Sequence, residues 1–290
     1  MQNVFRTLIW DKQASLTLCD GSQIVQKAIE YHKLTPASAL VLGKALLSFV
    51  FFSACLKEEK GEVSLSFQND ENGTQISVSG NQKLYMRGCI AGDGVSASVE
   101  TVNENPQTVE TLVLGESGAI TVIRDDGYSR PFVGSCAYTG GGLDSGLETY
   151  FKISEQIPTR IATRVVLDAN GNCVFAGVAA LQLLPFASEE TVKKAESEDL
   201  YALLQTARRL GAESAIAQAF SENDGVTSRT AVYKCNCSRE YLGEVLISLG
   251  EAQMRQIIKE DGAVRVHCHY CNTDYEFTAE DADKLFNGRE

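Results

Sequence analysis

Tyr233-Lys234-Cys235-Asn236-Cys237-Ser238-Arg239-Glu240 and Val266-His267-Cys268-His269-Tyr270-Cys271 are the stretches on which the reading of this chain turns. They hold a C-x-C pair and a C-x-x-C pair with thirty residues between them, while the other cysteines are scattered singly. Two close pairs brought together by a fold make a tetrahedral thiolate site, and zinc is its commonest occupant. The same four sulfurs can become two disulfides when oxidised. A site that can be a metal lock or a disulfide pair is a candidate redox switch.

Around the pairs the pattern predicts a small module over residues 231–290. Ser238 is placed as an N-cap, with Leu242, Val245, Leu246 and Leu249 on the inner face of a helix ending at Gly250. Met254, Ile257 and Ile258 mark a second helix ending near Gly262. Val264 to His267 reads as a strand, Cys268 to Cys271 as a turn and Tyr275 to Phe277 as the return strand. Thr278 with Asp281 caps a last short helix. So short a segment makes few core contacts, and a metal staple supplies what the core lacks.

Upstream, residues 182–230 read as a helical, metastable linker. Ser188 to Leu204 is acidic and helical, Leu204 to Phe220 continues with small and apolar residues, and Ser221 to Thr230 is polar. The apolar face is modest for the length, so this segment needs a partner surface. Residues 1–181 read as one α+β domain with a large sheet. Val4 to Trp10, Leu16 to Cys19, Val63 to Phe67, Ile76 to Val78, Leu84 to Met86, Ala119 to Ile123, Tyr128 to Val133, Ala162 to Leu167 and Val174 to Leu184 carry strand character. Gly21 to Lys33 suits a helix. Thr35-Pro36 starts a second one, Thr as N-cap and Pro as first helical residue. Ala37 to Leu56 is nearly apolar and of membrane-spanning length, but Lys44 lies within it, so a buried core helix is the better reading and no membrane is expected. Gly140-Gly141-Gly142 opens a helical segment; no Gly-Lys-Ser/Thr follows, so it is a loop before a helix and not a phosphate cradle.

Composition narrows the classes. The chain has 290 residues, 44% hydrophobic and 22% charged, which is globular. Its net charge of −12 opposes phosphate backbones, and residues 231–290 alone carry seven Lys/Arg against eleven Asp/Glu, so a nucleic-acid-binding zinc ribbon is disfavoured. Nine cysteines behind an N-terminus without signal-peptide character point to a reducing compartment, the cytoplasm. A thiol-disulfide oxidoreductase expects C-x-x-C to open a helix, whereas here it lies between two strands. A zinc deaminase would need His-x-Glu before Pro-Cys-x-x-Cys, and neither element is present. The chain is not expected to be an enzyme.

Cys235, Cys237, Cys268 and Cys271 are the expected metal ligands. On spacing alone a structural zinc site without redox switching remains the competing reading, as a zinc-ribbon binding protein. A disulfide between residues two apart closes a small strained ring, whereas the C-x-x-C ring closes more comfortably; Cys268–Cys271 is therefore expected to oxidise before Cys235–Cys237. His267 and His269 flank Cys268 and are placed beside the site or in solvent rather than on the metal. His32 ends a helix and reads as a capping or surface residue. Cys19, Cys55, Cys89, Cys136 and Cys173 fall in strand or apolar-helix contexts and read as inert core residues.

The two cysteine runs, with Glu260-Asp261-Gly262 ahead of the second, closely resemble the redox-regulated bacterial chaperones of the 33-kDa heat-shock protein family. The resemblance extends to Tyr150-Phe151-Lys152-Ile153-Ser154-Glu155-Gln156-Ile157-Pro158-Thr159-Arg160, to Gly177 to Pro185 with its Leu181-Gln182-Leu183-Leu184-Pro185 ending, and to Met86-Arg87-Gly88. It implies a zinc-bound, folded and inactive reduced state. Peroxide or hypochlorous acid would then turn the pairs into the redox-active disulfides Cys235–Cys237 and Cys268–Cys271 and release zinc. The module and linker would unfold, apolar surface would appear and the protein would form a homodimer. It would hold unfolding client proteins without ATP.

Overall fold

The computed structural model describes residues 2–92 and 94–287. Two compact units divide the chain, Met1–Lys234 and Cys235–Glu290. The first begins with a hairpin of β1 (Val4–Ile9) and β2 (Ala14–Asp20). Helix α1 (Ser22–His32) follows and ends on Lys33 in the left-handed conformation. Helix α2 (Pro36–Ala54) begins as the sequence predicts: the Thr35 side chain accepts a hydrogen bond from Ser38 N, and Pro36 fills the first position, where a missing N–H costs nothing. Then come β3 (Glu62–Asn69), β4 (Gln75–Asn81) and β5 (Tyr85–Ala91). Two short helices, α3 (Val99–Glu104) and α4 (Pro106–Leu114), lead to β6 (Gly118–Asp125) and β7 (Phe132–Tyr138). Helix α5 (Gly142–Tyr150) runs into one π-type turn, Phe151–Glu155, and the long strands β8 (Thr159–Leu167) and β9 (Cys173–Leu183) complete this part.

The strands form two sheets in this unit, in the orders β10-β1-β2-β9-β8 and β11-β5-β4-β3-β6-β7, where β10 is Thr227–Arg229 and β11 is Val232–Tyr233. Among the described residues every pairing here is antiparallel except that of β11 with β5. Helix α2 explains its own composition. It lies against β3, β4 and β5 of one sheet and β2, β8 and β9 of the other. With both sides covered it is apolar all round, and its membrane-like stretch is wholly buried inside the protein.

The five-stranded sheet is covered on its other face too. Helices α6 (Glu189–Ser197), α7 (Leu200–Leu210) and α8 (Ala212–Ala219) follow β9. Leu200, Leu203, Leu204, Ala207, Ala215, Ile216 and Phe220 pack with Leu16, Leu18, Ala162, Ala179, Leu181 and Leu183 in a second apolar cluster. This is the partner surface that the amphipathic segment requires. The expected single helix over Ser188 to Leu204 breaks at Glu198, because the Asp199 side chain accepts from Ala202 N and caps a new helix. The polar segment Ser221 to Thr230 holds a strand, β10, paired along β1. The strand expected at Tyr128 to Val133 starts only at Phe132, because Asp126 gathers the N–H groups of Tyr128 and Ser129 and lengthens the turn.

The second unit contains α9 (Arg239–Leu249), α10 (Glu251–Asp261), the hairpin β12 (Val264–Cys268) and β13 (Thr273–Phe277), and α11 (Ala279–Asn287). Its core is small: Leu246, Met254, Val264, Phe277 and Ala282 are the buried members. Arg239 closes it from outside, paired with Asp281 at 2.8 Å and placed over the Phe277 ring. The Thr278 N–H and Arg239 hold the Asp281 carboxyl down at about 2.

Candidate metal centre and a buried ion cluster

Each cysteine pair is positioned by local backbone. Cys235 and Cys237 sit just before α9, where the Ser238 side chain accepts from Tyr241 N. Cys268 ends β12 and Cys271 lies in the turn before β13, closed by Asn272 N donating to Cys268 O at 2.8 Å. Asn272 takes the left-handed conformation the tight turn requires, with φ 53°. The sequence-predicted ligands thus come together, with all four sulfurs within 4.8 Å of one another. Cys235 Sγ lies 3.2 Å from Cys237 Sγ and 3.5 Å from Cys268 Sγ, and Cys237 Sγ lies 3.1 Å from Cys271 Sγ. Four thiolates at about 2.3 Å from a central ion would stand about 3.8 Å apart, so a small outward shift turns this cluster into a coordination shell. The donor set fits a tetrahedral, thiophilic ion.

Tyr275 Oη is 3.3 Å from Cys237 Sγ and Thr273 Oγ1 is 3.3 Å from Cys271 Sγ. Partial burial alone would raise the Cys237 thiol, but hydrogen bonds from Tyr275 and the neighbouring thiols bring it down to about 7. Burial pushes Cys271 up to about 11 and raises Cys235 further. A bound cation overrides this ordering, because a coordinated thiol is deprotonated outright. His267 turns away, its Nδ1 2.7 Å from Asp274 Oδ1, and its ring meets His269 edge-on. His32 Nε2 lies 3.2 Å from the Tyr233 hydroxyl at the end of α1. Burial raises the thiols of Cys19, Cys55, Cys136 and Cys173, which opposes a nucleophilic role.

Sequence reasoning missed a second charged site. Lys44 of α2 is buried, and its Nζ lies 2.5 Å from Glu110 of α4 and 3.4 Å from Asp144 of α5. Glu110 Oε1 accepts from Leu143 N at 2.6 Å. Asp144 accepts from Thr163 N, Thr163 Oγ1 and the Tyr201 hydroxyl of α7 at 3.0, 2.6 and 3.1 Å. Burial works against the Lys44 charge, but Asp144 and Glu110 outweigh it and hold the ammonium well above its usual range. Burial raises the Glu110 carboxyl despite Lys44. The only signal in the sequence was a lone lysine in an apolar helix.

The fold and the cysteine centre are those of an α+β protein with a four-thiol cluster in its second unit. The family model described as Hsp33 protein matches residues 2–278, and the chain belongs to that family. Relatives named 33 kDa chaperonin include one from Clostridium perfringens strain SM101, 29% identical over 99% of this chain and 92% of its own length. Another, from Alkaliphilus oremlandii, is 30% identical over 97% of this chain and 95% of its own. A crystal structure of the Thermotoga maritima 33 kDa chaperonin shares the fold, with a TM-score of 0.82 over 99% of this chain and 98% of that one, at 24% identity.

Proposed function

We propose that this chain is a redox-regulated, ATP-independent holdase of the reducing cytoplasm. Zinc on Cys235, Cys237, Cys268 and Cys271 keeps it folded and inactive. When bound, the ion supplies the charge that holds four thiolates together and the folding energy the small core lacks. The observation that carries the reading is the convergence of those sulfurs in a unit whose apolar core is so limited.

Oxidation removes two electrons per pair and forms one S–S bond in each, with the peroxide reduced to water. The Cys268–Cys271 and Cys235–Cys237 disulfides no longer offer four thiolates, so the metal leaves and residues 231–290 lose their staple. The linker, residues 182–230, then leaves the core of residues 1–181. Its helices cover an apolar sheet face, and a bared face of that kind is a surface for unfolded client proteins and for a second copy of the chain.

Zinc release and suppression of client aggregation, measured together while peroxide is titrated into the reduced protein, test the reading. The two are expected to rise in step without nucleotide. Equal holdase activity in both redox states would leave a structural metal protein instead.

A further inference from the structure

We propose that Arg160 of β8 is the latch that fixes α6 to the core, which makes α6 the first part of the linker to be released. The inference rests on the holdase reading above only for its consequence, and not for the latch itself.

A helix leaves its last carbonyls without intrahelical partners. Helices α7 and α8 solve this within their own chain segment: Gly211 N donates to Ala207 O, and Phe220 N donates to Ile216 O. Among the described residues no backbone N–H closes α6 in this way; Glu198 after it is extended, and Ser197 Oγ serves only the Lys194 carbonyl. Two of its terminal carbonyls, of Ala195 and Glu196, and the Glu198 carbonyl just beyond the helix are taken by Arg160, whose Nη1 lies 2.8, 2.9 and 2.8 Å from those oxygens. The guanidinium also places a positive charge at the negative end of the helix dipole.

The other end of α6 depends on the core as well. Gln13 Oε1, from the β1–β2 turn, accepts from Ser188 N at 2.7 Å and from Thr191 Oγ1 at 3.0 Å. Between these ends the apolar contact is thin. Thr191 and Ala195 are the buried residues of α6. A cleft of about 520 Å³ opens beside α6, lined by Val192, Ala195 and Glu196 of the helix, by Leu181 and Leu183 of β9, and by residues of α5 and β8. Val192 and Ala195 do reach the second apolar cluster, but α6 brings fewer apolar residues to it than α7 or α8. Polar contacts at its ends therefore add to this limited burial in holding α6, and Arg160 makes most of them. A lysine at this position keeps the charge but loses the flat, multi-donor head.

The test uses full-length, reduced, metal-loaded protein with Arg160→Gln and Arg160→Lys. Hydrogen exchange of the amides in residues 190–199 is expected to speed up by about tenfold or more in R160Q, with R160K between it and the unaltered protein. Exchange in residues 235–287 and the metal content should not change. R160Q should also reach half-maximal aggregation suppression at a lower peroxide dose. Unchanged exchange in 190–199 would overturn the latch, and so would equal acceleration across α6, α7 and α8, which would mean general loosening. Failure of the unaltered protein to gain activity with peroxide would instead sink the holdase reading and leave the exchange result standing.

Discussion

Replacing Lys44 by Met should destabilise the first unit by about 3–5 kcal/mol near neutral pH, the usual cost of leaving a buried partner charge uncompensated. The structure gives the reason. Glu110 and Asp144 are 2% and 7% exposed, and Lys44 is the cation both carboxylates share. Asp144 keeps three other donors, from Thr163 and Tyr201, whereas among the described residues Glu110 keeps only the Leu143 N–H. Glu110 is therefore the group that takes up a proton. Its folded-state carboxyl is already raised by burial, and removing Lys44 deletes the main influence that lowers it. A raised carboxyl binds a proton in the folded state that the unfolded chain has released, so stability increases as pH falls towards the unfolded value. One proton contributes at most about 1.4 kcal/mol per pH unit. The K44M deficit should thus shrink by up to about 2 kcal/mol between pH 7.5 and 6.0. Urea unfolding followed by fluorescence of Trp10, the single tryptophan, reads this unit directly. A deficit under about 1 kcal/mol, or one equal at both pH values, would refute the argument.

Further outcomes are expected. Reduced protein should carry one zinc per chain, and full zinc retention in a Cys268→Ser/Cys271→Ser variant would end the four-thiolate assignment. Brief peroxide exposure should yield Cys268–Cys271 before Cys235–Cys237 by mass-spectrometric mapping; a dominant Cys237–Cys271 bridge, whose sulfurs lie 3.1 Å apart, would show that proximity outweighs ring strain. Changing Cys19, Cys55, Cys89, Cys136 or Cys173 to Ala should leave zinc binding and switching intact, at roughly 1 kcal/mol of packing each; a variant that oxidant cannot activate would place that cysteine in the switch. Trp10 meets Phe220 edge-on, so linker release should shift its emission to the red on oxidation, and an unchanged spectrum in fully oxidised, zinc-free protein would argue against release.

The parts of the fold that could be read from sequence are those where one local rule acts alone. Thr35-Pro36 and Ser238 announced their helices because a cap needs only neighbouring residues. The cysteine cluster was legible because close spacing forces convergence. What was not legible depends on remote partners. Helices α3 and α4 are too short for a clear period, although Ser98 and Pro106 do mark their starts. Strand β10 has polar residues and exists because β1 offers an open edge. The partners of Lys44 come from α4 and α5, and no periodicity in α2 names them.

The pairing of β1 with β10 also governs how the chain must be made. β1 is made long before its outer neighbour, which follows α6, α7 and α8, and β2 waits for β9. At translation rates of about 5–20 residues per second that interval is on the order of tens of seconds. Through it the nascent hairpin shows an unpaired edge and an apolar face, the combination that invites strand addition from other chains. Slow synthesis and sheltering of that hairpin by other factors should therefore govern yield more than the stability of the finished protein does.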